Sequence, residues 1–122
     1  MDPRFSRDGY YGRGLYLASK AGYSNNNYAF DHRDGTRSLM CCRAALGDIN
    51  DYGSVIDADT KNLTMPPLMN PASGRGARYH SVKGGPYNSS SQGARQPDSF
   101  TYVVYETCQT YPDYIVRYTP GC

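Results

Sequence analysis

Apolar positions along the chain fall in short runs, separated by polar stretches rich in glycine, proline and asparagine. After a polar opening from Met1 to Asp8, the run Leu15-Tyr16-Leu17-Ala18 predicts a first strand. In "YSNNNYAFDHRDGT" the asparagines disfavour a long helix, and a short one from Ser24 to Phe30, capped by Ser24, is predicted. Asp34-Gly35 predicts a turn. "RSLMCCRAALGDI", residues 37–49, is the longest continuous apolar run and predicts a buried strand ending at Gly47-Asp48. From Asn50 to Arg78 no period persists, and "TMPPLMNPASGRGAR" predicts a long surface loop. "YHSVKGGP", residues 79–86, predicts a short strand stopped by Gly84-Gly85-Pro86, and "YNSSSQGARQPDS" predicts another loop. "FTYVVYETCQ" and "YPDYIVRYTP" predict two closing strands. The order describes an α+β domain, predominantly antiparallel β-sheet, with one or two short helices.

Composition narrows this picture. A chain of 122 residues holds one domain with a modest core. Thirteen tyrosines and no tryptophan favour β-structure, where a phenol covers apolar surface while its hydroxyl finds water or a partner. Mean hydropathy is −0.70, yet only 20% of residues are charged, so disorder driven by charge is not indicated. The net charge is +2, and the arginines at 4, 13, 37, 43, 75, 78, 95 and 117 stand singly rather than in the cluster or stripe of a nucleic-acid footprint. The cysteines at 41, 42, 108 and 122 form no Cys-x-x-Cys, and neighbours on a strand point to opposite faces. With only His32 and His80 to join them, no metal site is expected. Reduced, packed thiols are expected instead, in a reducing compartment, cytoplasmic and/or nuclear, with no leader or membrane span.

Gly12-Arg13-Gly14 has the look of a phosphate loop. In a dinucleotide fold, however, a strand leads into the glycines and a helix follows them. Here the glycines precede the strand and no third glycine arrives in register, so that reading fails. Alone, the pair is a hairpin entry.

The whole pattern says more. "GRGLYLA" is followed by Ser24, eight positions after Tyr16, then by Tyr28, "ALGDI", "HSVKGGP" and "YVVYETCQ". These segments, in this order, resemble the poly(ADP-ribose) polymerase family, a branch of the diphtheria-toxin-like ADP-ribosyltransferases. "GGP" and "QTYPDYIV" look most like its mono-ADP-ribosylating members. The resemblance spans residues 1–119 and covers about the C-terminal two-thirds of the family's catalytic domain. It implies an ADP-ribosyltransferase fold that takes NAD as substrate, uses no metal, and passes ADP-ribose to an acceptor protein, or to nucleic acid, away from membranes. By the same resemblance Tyr16 is the tyrosine of the family's catalytic triad, and Ser24 hydrogen-bonds the nicotinamide amide. Tyr28 stacks on the ring, while Gly14 and Ala18 leave room for backbone to approach it. Read one at a time, these residues have plainer roles: Tyr16 as core, Ser24 as a helix cap, Tyr28 as the apolar face of that helix.

Two departures qualify the expected activity. The family's triad opens with a His-Gly pair, and none occurs here: His32 precedes Arg33, and His80 precedes Ser81. A partial catalytic domain with open sheet edges is therefore expected, prone to capture an added strand. The third triad position, usually Glu, is Thr101, eight residues before Gln109, and Glu106 lies too late to replace it. A threonine hydroxyl hydrogen-bonds but is no base near neutral pH, which disfavours chain growth and leaves transfer of single units. The alternative is a catalytically silent relative that acts as a binding module. Lys83, in "SVKG", is expected as a solvated lysine, with an acceptor contact as its second reading.

Overall fold

The computed structural model describes residues 9–21, 29–85 and 100–120. Its strands are β1 (Leu15–Ala18), β2 (Phe30–Asp31), β3 (Arg37–Ala44), β4 (Ile49–Asp51), β5 (Ser81–Gly84), β6 (Thr101–Val104) and β7 (Thr110–Tyr118). A short helix, α1 (Ala58–Lys61), and 3-10 turns at Pro71–Ser73 and Thr107–Gln109 complete the described elements. One sheet has the order β1-β6-β5-β4, antiparallel except for the parallel pair β4–β5. The other is antiparallel, in the order β2-β3-β7. The α+β class and its antiparallel bias follow the sequence expectation.

The core lies on one face of the four-stranded sheet. Val103 of β6 is flanked in register by Tyr16 of β1 and Val82 of β5. Val82, Val103 and Tyr11 are fully buried together beside Tyr105. Burying each valine contributes roughly 1.5–3 kcal/mol. Tyrosine does what leucine would do elsewhere, while its hydroxyl is satisfied internally. Tyr11 stacks on Tyr52 with centroids 5.7 Å apart, and the Tyr105 hydroxyl donates to the Tyr11 carbonyl at 2.6 Å. Burial pushes the Tyr105 phenol far above its ordinary pKa, so it remains a neutral donor. Gly84 is required here, because a Cβ at that position would run into the Tyr11 ring.

Three expectations from the hydropathy pattern are corrected. The run 37–49 is two strands in different sheets, β3 and β4, joined through residues 45–48. No residue of β3 is buried: four of its eight residues are exposed and four half-buried. Phe30 belongs to β2 and not to a helix; residues 24–28 of the predicted helix lie outside the described residues. The region 50–78 is not featureless. Asp57 caps α1 through a reciprocal box with Thr60, and the Leu63 carbonyl accepts from the Arg13 N–H at 2.9 Å. The predicted loop 87–99 lies outside the described residues.

Candidate functional site

The turn at residues 9–12 closes on itself, Gly9 and Gly12 exchanging N–H···O bonds of 3.1 Å. Gly12 adopts φ +78°, which a side chain rarely tolerates. Tyr16 is tied to this turn: its hydroxyl accepts from the Tyr11 N–H at 2.9 Å and donates to the Gly12 carbonyl at 2.7 Å. Two bonds at the tip fix the orientation of the ring.

Register places the neighbours. Tyr16 is opposite Val103 and Ala18 is opposite Thr101, whose other partner is Gly84. Because strand side chains alternate between faces, Tyr16, Ala18 and Thr101 share one face, with Tyr16 and Thr101 as diagonal neighbours on adjacent strands. Leu17 and Tyr102 take the other face. Gly14 lies just before β1 and meets β6 closely: a Cβ there would stand 2.5 Å from Val103 Cγ1 and 2.9 Å from the Val104 carbonyl oxygen. What approaches Gly14 is therefore the neighbouring strand. Ser24 and Tyr28 lie outside the described residues.

Between the sheets lies a half-open, largely apolar cavity of about 530 Å³. Tyr16, Leu17, Ala18 and Tyr102 line one side, and Leu39, Cys41 and Val116 the other. Its size is that of a pocket for a small organic ligand. It gathers Tyr16 and Ala18, whereas Gly14 and Thr101 are not in its lining; Thr101 is buried in the sheet at 8% exposure.

Sequence reasoning used Gln109 only as a landmark, but the structure makes it a bolt between the sheets. Its Oε1 accepts from the N–H groups of Tyr105 (3.3 Å) and Glu106 (3.1 Å). Its Nε2 donates to the carbonyls of Ala45 (3.2 Å) and His80 (2.7 Å). One side chain thus joins the end of β3 to β5 and β6. His80 is engaged nearby, its Nδ1 accepting from the Asp48 N–H at 2.9 Å, and the Ser81 hydroxyl donates to Leu46. Lys83 is not solvated as expected. Its ammonium sits 4.2 Å from the Phe100 ring centroid and 5.8 Å from that of Tyr102, and its side chain is only 25% exposed.

Charge elsewhere is arranged in pairs. Arg37 meets Asp31 at 2.7 Å, Arg43 grips Asp113 with two bonds of 2.9 Å, and Arg117 meets Asp34 at 2.8 Å. The Thr36 hydroxyl and N–H, with Arg117 beyond them, hold the Asp34 carboxyl down to about 2. Cys41 and Cys108 are free and exposed, not packed as expected; Cys42 is half-buried, and burial followed by the neighbouring Cys41 pushes its thiol up, away from the reactive thiolate. Among the described residues no three His, Cys, Asp or Glu side chains gather as a metal site, and no helix is long and apolar enough to cross a membrane.

This two-sheet arrangement, with its tyrosine strand beside the closing Tyr-x-Val-Tyr strand, is an ADP-ribosyltransferase fold. The family model of the poly(ADP-ribose) polymerase catalytic domain matches residues 2–119, and the chain belongs to that family. No curated protein matches the chain.

Proposed function

We propose that this chain supplies part of a catalytic domain for NAD-dependent mono-ADP-ribosylation, transferring single ADP-ribose units to protein and releasing nicotinamide. Membership of the family supports the reaction class. The observation that carries the site is the register: the positions matching the second and third members of the family's triad, Tyr16 and Thr101, stand on one face of paired strands. The nicotinamide–ribose bond breaks through an oxocarbenium-like state, as in glycoside hydrolysis. The protein's task is to hold the ring still and to stabilise charge developing on the ribose. In this reading Tyr16, with its hydroxyl anchored at both hydrogen-bonding ends, presents a preorganised ring. Tyr28 supplies the second ring, Ser24 bonds the amide, and Ala18 keeps the wall thin. Thr101 offers a hydroxyl to the ribose, and without a carboxylate there the reaction stops at one unit.

A second reading, a silent binding module, is favoured by a specific observation. The sheet face shared by Tyr16, Ala18, Val82, Gly84, Thr101 and Val103 carries no imidazole or carboxylate from these positions. One experiment separates the two: the chain, extended upstream to the whole catalytic domain, is incubated with NAD labelled in the adenylate, and a parallel thermal shift is run with nicotinamide. Transferase activity predicts label on protein as single units, abolished by Thr101→Val, and a nicotinamide shift abolished by Tyr28→Ala. A shift without label supports the binding module. Neither shift nor label refutes the pocket.

A further inference from the structure

Thr101, which matches the third member of the family's triad, is the first residue of β6. A threonine hydroxyl sits closer to the backbone than a glutamate oxygen, so where it points is decided by where the backbone is held. Phe100 and Tyr102 flank it, and the alternation of an extended chain turns both to the face away from Tyr16 and Thr101. Lys83 of β5 pairs in register with Tyr102 and so lies on that same far face. Its ammonium stands 4.2 Å from the Phe100 ring centroid and 5.8 Å from that of Tyr102. One cation thus meets the ring on each side of Thr101.

We propose that Lys83 is a positioning residue for Thr101: it pins the entry to β6 from behind, so that the Thr101 hydroxyl meets the ribose of NAD at a fixed place. This role rests on the transferase reading above. The clamp has a firm base. The Lys83 carbonyl accepts from the Tyr52 N–H at 2.9 Å, and Asp51, its register partner on β4, reaches the ammonium at 4.0 Å. The Lys83 side chain is only 25% exposed, and withdrawal from water strengthens the attraction of a cation to a ring face. β1 completes the hold: the Phe100 N–H donates to Ser19 Oγ at 2.8 Å, and the Ser19 N–H donates to the Phe100 carbonyl at 3.0 Å. Phe100 is thereby tied to β1 through its backbone and to β5 through its ring, immediately before Thr101. A displacement of about 1 Å in a group that faces the reacting atoms costs on the order of 10²-fold in rate, so a hold of this kind matters to turnover. Lys83 acts through Thr101 and not on the substrate.

Two measurements test this. Lys83→Met keeps the apolar stem and removes the charge, whereas Lys83→Arg keeps a cation that stacks on rings. In the whole catalytic domain, with NAD labelled in the adenylate, Lys83→Met is expected to lower kcat about tenfold and to leave KM for NAD within about twofold, because the ring at Tyr16 is untouched. Lys83→Arg is expected to recover most of kcat. Asp51→Asn, which removes the ion pair but not the rings, is expected to leave kcat near native. The second measurement needs no turnover. In the 122-residue chain, amide exchange at Thr101 followed by NMR is expected to be about tenfold faster in Lys83→Met and in Phe100→Leu, with exchange at Val82 unchanged. If Lys83→Met fails to fold, Phe100→Leu decides both arms. Native kcat in Lys83→Met, no recovery in Lys83→Arg, an equal loss in Asp51→Asn, or unaltered exchange at Thr101 overturns the proposal. A native domain that transfers no label refutes the transferase reading instead, and the exchange arm then judges the clamp alone.

Discussion

Replacing Gln109 by alanine removes four hydrogen bonds at once, and the structure allows the cost to be worked through. Two of the bonds are good, at 2.7 Å to the His80 carbonyl and 3.1 Å from the Glu106 N–H. Two are long, at 3.2 Å to the Ala45 carbonyl and 3.3 Å from the Tyr105 N–H. Taking about 1 kcal/mol for each good bond and about half that for each long one gives about 3 kcal/mol. For a domain of this size that corresponds to a fall in Tm of roughly 10–15 °C. Gln109→Glu refines the test. Its carboxylate still accepts from the two N–H groups but points an oxygen at two carbonyls, so the folded state favours the protonated form and raises the carboxyl pKa. A raised folded pKa means that the folded state binds more protons. Stability of Gln109→Glu relative to native should therefore recover as pH falls toward 5 and worsen as pH rises toward 7. Urea unfolding of the three proteins at both pH values measures this. A Gln109→Ala loss under about 1 kcal/mol, or a Gln109→Glu deficit independent of pH, would refute the bolt between the sheets.

Other substitutions probe the remaining pieces. Tyr16→Phe keeps the ring but unties it from the 9–12 turn; a loss of about 1–3 kcal/mol in urea unfolding is expected, and native stability would show that the anchor is idle. Gly84→Ala drives a methyl into the Tyr11 ring and should cost about 1–3 kcal/mol, read as a lower Tm; an unchanged Tm would mean that Tyr11 is free to move aside. Asp34 should titrate near 2 by NMR, and Thr36→Val should raise that value. Because the folded pKa is depressed, its stabilising contribution is present above the ordinary carboxylate range and disappears as pH drops through about 2. An ordinary carboxylate midpoint would remove the hydroxyl's part in the hairpin.

Much of the strand map was legible because turns and β-propensity are local. Asp34-Gly35 does turn the chain, with Gly35 at φ +87°, and the strands around "LYLA", "SVKG", "TYVV" and "YIVRY" fall where their residues announce them. Family membership was legible too, since motif order and spacing are properties of the chain itself. Burial was not. The run at 37–49 reads as core, but how far its faces are covered depends on elements far away in sequence, and no residue of β3 is buried. The role of Gln109 was equally hidden: its four partners come from three separate segments, and no local pattern reports such a meeting. The same holds for Lys83, drawn over Phe100 by strand pairing.

The residues alone determined most of the strands, the family and a shortlist of Gly14, Tyr16, Ala18, Ser24, Tyr28 and Thr101, because propensity and motif spacing are written within short windows. Only the tertiary structure decided that Tyr16, Ala18 and Thr101 share a sheet face, that Gly14 is pressed by β6, and that Gln109 ties the two sheets. Register and burial are relations between distant segments, set by which strands pair, and that choice is made by the fold as a whole.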